Sequence, residues 1–187
     1  MSADPPSLIE GLRRADPLAF ETLYEREKGA LYGFLLRLAR DPHVAADLFQ
    51  NVWLKLARHS ARLRDDSDLR AWLYTVARRE FLSFRRAQAL DLSRVLVLGI
   101  PSEAESSAEG DLGLVALGTA FAQLGDADRE VILLAVADGL EAEAAASVLG
   151  ISAAAFRQRL ARARRRLAHW LNEAGPAGVP SGVKVVR

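Results

Sequence analysis

Apolar residues along most of this chain recur three or four positions apart, with polar residues between them. Phe20, Leu23, Leu31, Leu35 and Leu38 mark one series. Leu48, Val52 and Leu56 mark the next, flanked by Phe49 and Trp53. That period belongs to helices with one buried face. Both series open on Asp-Pro, at Asp16-Pro17 and Asp41-Pro42. An aspartate there can accept from the unpaired first-turn N–H groups, and a proline at the first helical position lacks an N–H to leave unpaired. The polar stretch "RDDSDLR" at 64–70 reads as a loop ending in a cap. A third helix is predicted over 69–89. Strand-like alternation and hairpin turns are scarce, so the pattern predicts an all-α fold.

The period weakens between Ala89 and Gly113. "GIPSEAESSAEGD", 99–111, is rich in Gly, Pro, Ser and Glu and reads as a flexible acidic linker. Its apolar neighbour "VLVLGI", 95–100, is expected to dock onto one of the helical parts. Helical period returns over 114–124. Further helices are predicted over 126–137 and 141–149, with Gly125 and Gly139 as breaks. Gly150 suits the left-handed residue that ends a helix. Ser152 then caps a last helix running to about Leu171, and "GPAGVPSGVKVVR" is a loose tail. The expected organisation is two helical domains, 1–92 and 114–173, joined by a linker at 93–113 and followed by a tail at 174–187.

The short helix and the long one, joined by Leu-Gly-Ile-Ser, form a helix-turn-helix pattern. With the last helix placed on a wheel, Phe156, Leu160, Ala163, Leu167, Trp170 and Leu171 share one stripe. Ala154, Gln158, Ala161, Arg162 and Arg165 fall opposite it, with Arg157 and Arg164 on one edge and Arg159 and Arg166 on the other. A helix in the major groove needs this layout, with outer N-terminal residues at base edges and later arginines at phosphates. Ala153–Ala155 permit close approach but offer little direct readout. Gln158 is the outer polar residue placed to read a base, and its amide pairs geometrically with adenine. A soluble amphipathic helix would share the stripe, although not the preference for arginine.

The third helix divides in a comparable way. Trp72, Leu73, Val76, Ala77 and Phe84 make an apolar face. Arg70, Tyr74, Arg78 and Arg85 cluster on one flank, and Arg79 and Arg86 lie on the other. Arginines interleaved with an aromatic ring suit a single strand, the ring stacking on a base and the arginines holding phosphates. Tyr74 and Trp72 could instead complete a core.

Charge adds to this picture. Residues 1–90 carry fifteen Lys+Arg and twelve Asp+Glu, 91–150 carry two and eleven, and 151–187 carry eight and one. An acidic middle between basic ends suits two nucleic-acid-facing parts separated by a repelling segment. The chain has no cysteine and three scattered histidines, which removes disulfides, thiolate sites and a zinc cluster. No phosphate-binding glycine loop or nucleophile elbow occurs, so neither an enzyme nor a cofactor is expected. No signal peptide is read at the N-terminus, and no apolar run approaches the roughly 20 residues of a membrane span. A cytoplasmic protein without membrane insertion is expected.

"DLFQNVW" at 47–53, "RAWLYTVAR" at 70–78 and "GISAAAFRQRLARARRRLAHWL" at 150–171 stand in the order found in bacterial sigma factors. The chain resembles an extracytoplasmic-function (ECF) sigma factor over about 15–90 (region 2) and 114–171 (region 4). The resemblance implies a promoter-specificity subunit. Region 2 would bind the clamp of core RNA polymerase and melt the −10 element; region 4 would bind the flap and the −35 element. It assigns Asp47, Leu48, Gln50, Asn51 and Trp53 to the polymerase. The loop at 60–68, with Arg62, Arg64 and Ser67, would capture a flipped-out base. Arg70, Tyr74, Arg78, Arg79, Arg85 and Arg86 would follow the single strand. Ser152, Ala154, Ala155, Arg157, Gln158, Arg159, Arg162 and Arg165 would meet the −35 duplex. An anti-sigma partner is implied as well.

The chain departs from the family at Asn51 (usually Glu), Ala145 (usually a larger aliphatic), Ala155 (usually Thr) and Gln158 (usually Ser). The alternative reading is a sigma-like adaptor that binds polymerase or a regulator with weak sequence-specific DNA binding. Run-off transcription with core polymerase separates the two. Limited proteolysis of the intact chain is expected to cut first within 99–113; first cuts inside 69–89 or 152–171 contradict the domain division.

Overall fold

In a computed structural model, residues 6–98, 117–121, 123–137 and 139–173 are described, and no strand occurs among them. The helices are α1 (Pro6–Arg13), α2 (Pro17–Ala39), α3 (Pro42–His59), α4 (Leu69–Leu98), α5 (117–121), α6 (Asp126–Ile132), α7 (Ala142–Leu149) and α8 (Ala153–Glu173). A single 3₁₀ turn, Ser60–Arg62, follows α3, and a π-helical turn, Leu133–Ala137, continues α6.

The Asp-Pro signals act as their chemistry requires. Asp16 accepts from the N–H of Leu18 at 3.0 Å, and Asp41 accepts from His43 at 2.8 Å and Val44 at 3.2 Å. Asp68 caps α4 by accepting from Ala71 at 2.9 Å. Gly150 adopts φ +68° at the end of α7, where a side chain would be strained.

Helices α2, α3 and α4 pack mutually into a bundle, and α1 lies across the start of α2 and the 3₁₀ turn. Leu23, Leu31, Phe34 and Leu35 of α2, Val52 and Leu56 of α3, and Leu73, Tyr74 and Ala77 of α4 are fully or almost fully buried in it. A large side chain buried this way contributes about 1.5–3 kcal/mol. Helix α8 packs on α6 and α7, and α7 also packs on α4. One continuous cluster of buried side chains therefore runs from Ile9 through Leu73 and Tyr74 to Leu134, Val148 and Phe156.

Three elements differ from the sequence reading. Helix α1 was not expected; Leu8, Ile9 and Leu12, on one helical face, are buried and hold it down. Helix α4 runs to Leu98 rather than to 89, so the first part of "VLVLGI" continues a helix. The helix expected over 126–137 changes to π geometry at Leu133. The linker call at 99–113 and the tail at 174–187 lie outside the described residues.

Gly11 lets α1 approach α2. A Cβ there would stand 2.6 Å from Cβ of Ala19, closer than two methyl carbons can come. Gly11→Ala is expected to lower stability by about 1–3 kcal/mol in urea unfolding. An unchanged midpoint would show that α1 can shift without cost.

Candidate nucleic-acid and polymerase interfaces

The helix-turn-helix is built from α7, a left-handed Gly150 and a serine cap. Gly150 N–H donates to Ser147 O at 3.1 Å and Ile151 N–H to Ala146 O at 3.0 Å, which satisfies the last carbonyls of α7. Ser152 then accepts from Ala155 N–H at 3.2 Å and starts α8. Phe156 and Ala163 are buried, while Leu160, Leu167 and Trp170 pack half-buried near Leu124 and Ile132. The opposite face carries Ala154, Gln158, Arg159, Arg162 and Arg165, all exposed. Ala155 is half-buried, and the oxygen of Ser152 serves the cap.

Two arginines of α8 reach neighbouring helices. Arg157 pairs with Glu143 of α7, and Arg166 with Asp128 of α6. They anchor the helix on either side of the exposed face, near its two ends.

The two arginine flanks of α4 have different surroundings. Tyr74 is fully buried, its ring 5.0 Å from Phe34. The stacking role expected for it is corrected here: a buried ring offers no face to a base. The neighbouring arginines are turned inward too. Arg70 lies 3.5 Å from the buried carboxylate of Glu27, Arg78 lies 3.0 Å from Glu130 of α6, and Arg85 lies 3.4 Å from Asp126. Burial pushes the Glu130 carboxyl above its ordinary range, an effect opposed by the Arg78 guanidinium. The wheel grouped these residues correctly, but nothing in the local sequence reports that another helix covers them.

Arg79 and Arg86 are exposed on the other flank. Beside Arg79 a cavity of about 310 Å³ is lined by Lys55, His59, Arg62, Leu63, Trp72, Val76 and Glu80 as well. The half-buried Trp72 indole and four basic side chains meet there. The sequence reading placed base capture on the loop 60–68 and missed the contributions of Lys55, His59 and Trp72. Their spacing at 55 and 59, one helical turn, was the available signal. The loop itself is tied down: Arg13 donates to Leu63 O at 2.6 Å and pairs with Asp65 at 2.7 Å. Arg64 pairs with Asp66, and Ser67 accepts from Arg64 N–H at 2.9 Å.

On α3, Asp47, Gln50 and Asn51 are exposed, and Leu54 beyond them is an exposed apolar residue that sequence reasoning missed. Leu48 and Trp53 are buried, so their assignment to a polymerase contact is corrected. Trp53 packs against Tyr24 at 4.9 Å and Phe20 at 5.7 Å. A second cavity, about 350 Å³, lies between α3 and α4 and includes Asp47, Asn51, Glu80 and Phe84 in its wall.

Two regular helical modules, one presenting a basic helix-turn-helix and the other a basic, tryptophan-walled cavity, define a nucleic-acid-binding class of protein. The Sigma-70 region 2 family matches residues 23–90, and the Sigma-70 region 4 family matches 114–167. RNA polymerase sigma factor CarQ of Myxococcus xanthus is 30% identical over 168 residues, 88% of this chain and 96% of that protein. ECF RNA polymerase sigma factor SigM of Bacillus subtilis is 28% identical over 153 residues, 80% of this chain and 93% of its own. The solved complex of sigma factor RpoE with the anti-sigma factor NepR from Bartonella quintana superposes with a TM-score of 0.71 at 30% identity, covering 82% of this chain and 96% of that one. The chain belongs to the sigma-70 family, in its ECF group, and is a factor of promoter-directed transcription initiation.

Asp47→Arg, at an exposed position, is expected to weaken binding to core polymerase at least tenfold (more than about 1.4 kcal/mol) with helicity unchanged by circular dichroism. Normal binding by the folded variant removes Asp47 from the contact.

Proposed function

We propose that this chain binds core RNA polymerase through the exposed polar edge of α3 and reads promoter DNA through two separate surfaces. The polymerase residues in this reading are Asp47, Gln50 and Asn51. The −35 surface is the outer face of α8: Ala154, Gln158, Arg159, Arg162 and Arg165, with Arg157 at its edge. The −10 surface is the open flank of α4, with Arg62, Arg79 and Arg86 around the Trp72 cavity. Module boundaries at 1–92 and 114–173 follow from the same reading. The chain acts in the cytoplasm, without catalysis of its own, and takes an anti-sigma protein as partner; relatives solved in complex with anti-sigma factors support that assignment. No helix of the described residues is long and apolar enough to cross a membrane.

The observation that carries the proposal is the exposed face of α8, where one amide and three arginines stand opposite a buried Phe156–Ala163 stripe. Position along the helix divides their roles. Gln158 is near the N-terminal end, where base edges are met; Arg162 and Arg165 lie about one to two turns further on, where phosphates are met.

The test uses the full chain bound to core polymerase, on promoter and scrambled duplexes across a salt series. Arg162→Ala and Arg165→Ala are each expected to weaken binding to all sequences alike and to lower the salt slope by about 1. Gln158→Ala is expected to cost roughly 1–3 kcal/mol at one base pair and leave the slope unchanged. Equal discrimination by Gln158→Ala would mean that α8 holds DNA by charge and shape alone. Absence of run-off transcripts from the unaltered chain would support the adaptor reading.

A further inference from the structure

The inward flank of α4 is occupied by carboxylates from the second module. Arg78 donates from Nε to Oε2 of Glu130, 52 residues away in sequence. Arg85 faces Asp126, one helical turn before Glu130 on α6. The two pairs therefore stand along the same two helices. Glu130 is 7% exposed and Arg78 24%, so the first contact excludes water and any large ligand. Tyr74, between Arg70 and Arg78 on this flank, is sealed as well. Around the ion pairs the seam is apolar: α7 packs on α4, and the π turn packs on α2.

The resemblance to region 2 assigns Arg78 and Arg85 to the single strand of the −10 element. An arginine cannot hold a buried carboxylate and a DNA phosphate at once. Two carboxylates set one turn apart present α4 with a row of anionic oxygens, the chemistry that a phosphate backbone presents.

We propose that the chain closes on itself in the free state, Glu130 and Asp126 occupying on α4 the cation positions that the promoter single strand takes when the modules part. This rests on the sigma reading of α4. In it, the second module shields the melting helix until polymerase or DNA pulls the seam open. Removing the two charges weakens the closed state without touching a group assigned to DNA. If the open state is about one tenth populated in the free chain, abolishing closure raises its apparent affinity for single-stranded DNA about tenfold.

The experiment compares the unaltered chain with the Glu130→Gln, Asp126→Asn double variant. Dyes are placed on cysteines introduced at exposed Arg58 and Asn172, since the chain has no cysteine of its own. Energy transfer reports closure, and a short single-stranded DNA of mixed sequence is the ligand. The double variant is expected to lose the high-transfer population and to bind the strand about tenfold more tightly, helicity being equal. The exchange Arg85→Asp with Asp126→Arg, which re-forms the outer pair with reversed signs, is expected to keep the transfer that Asp126→Arg alone loses. Unchanged transfer in both the double variant and Asp126→Arg overturns the proposal, as does failure of the exchange to restore it. Run-off transcription by the unaltered chain with core polymerase reads the sigma assignment separately. Its failure would leave the closure measurement valid but remove the DNA role of the arginines.

Discussion

Everything described here depends on α4 being buried on two sides. One face completes the bundle with α2 and α3 through Leu73, Tyr74 and Ala77. The adjacent face receives α7, with α6 set against it through Arg78 and Arg85. A helix in that position cannot present all its arginines to a ligand. It turns Arg70, Arg78 and Arg85 inward and leaves Arg79 and Arg86 outside. The division of a single helix into a covered flank and an open one therefore follows from packing rather than from residue type.

Electrostatics inside the seam argue for a contact that is specific without being rigid. A carboxylate taken out of water loses hydration that one guanidinium only partly replaces. The raised pKa of Glu130 and the lowered pKa of Arg129, both caused first by burial, report that loss. The apolar part of the cluster holds the helices together; the charged pairs fix which residues face each other. Breaking one partner is costly, while replacing carboxylates by phosphates is chemically even-handed.

Much of the fold was legible because local chemistry decides it. Asp16, Asp41, Asp68 and Ser152 cap helices, and Gly150 ends one, for reasons visible within four residues of each. The stripe on α8 was legible for the same reason, and Phe156 and Ala163 are buried as the wheel requires. What could not be read was which of several apolar or basic faces another helix would cover. Tyr74 and Trp72 are two residues apart on one helix and both aromatic, yet the first is sealed and the second walls an open cavity. Leu48 and Trp53 sit among exposed neighbours on α3 and are nonetheless core. Helix α1 escaped notice because eight residues carry too little period; its burial under α2 is what makes it a helix.

The two clips on α8 have a consequence for how such a helix can vary. Arg157 to Glu143 and Arg166 to Asp128 leave the helix little freedom to roll about its own axis. The angular position of Gln158 toward a groove is thus decided by residues that never meet a base. Side chains on the outer face can then be exchanged one at a time without reorienting the rest, as type is changed in a fixed frame. A new outer sequence grafted between intact clips would inherit the old approach angle, whereas the same sequence placed on an unclipped helix would have to find its own.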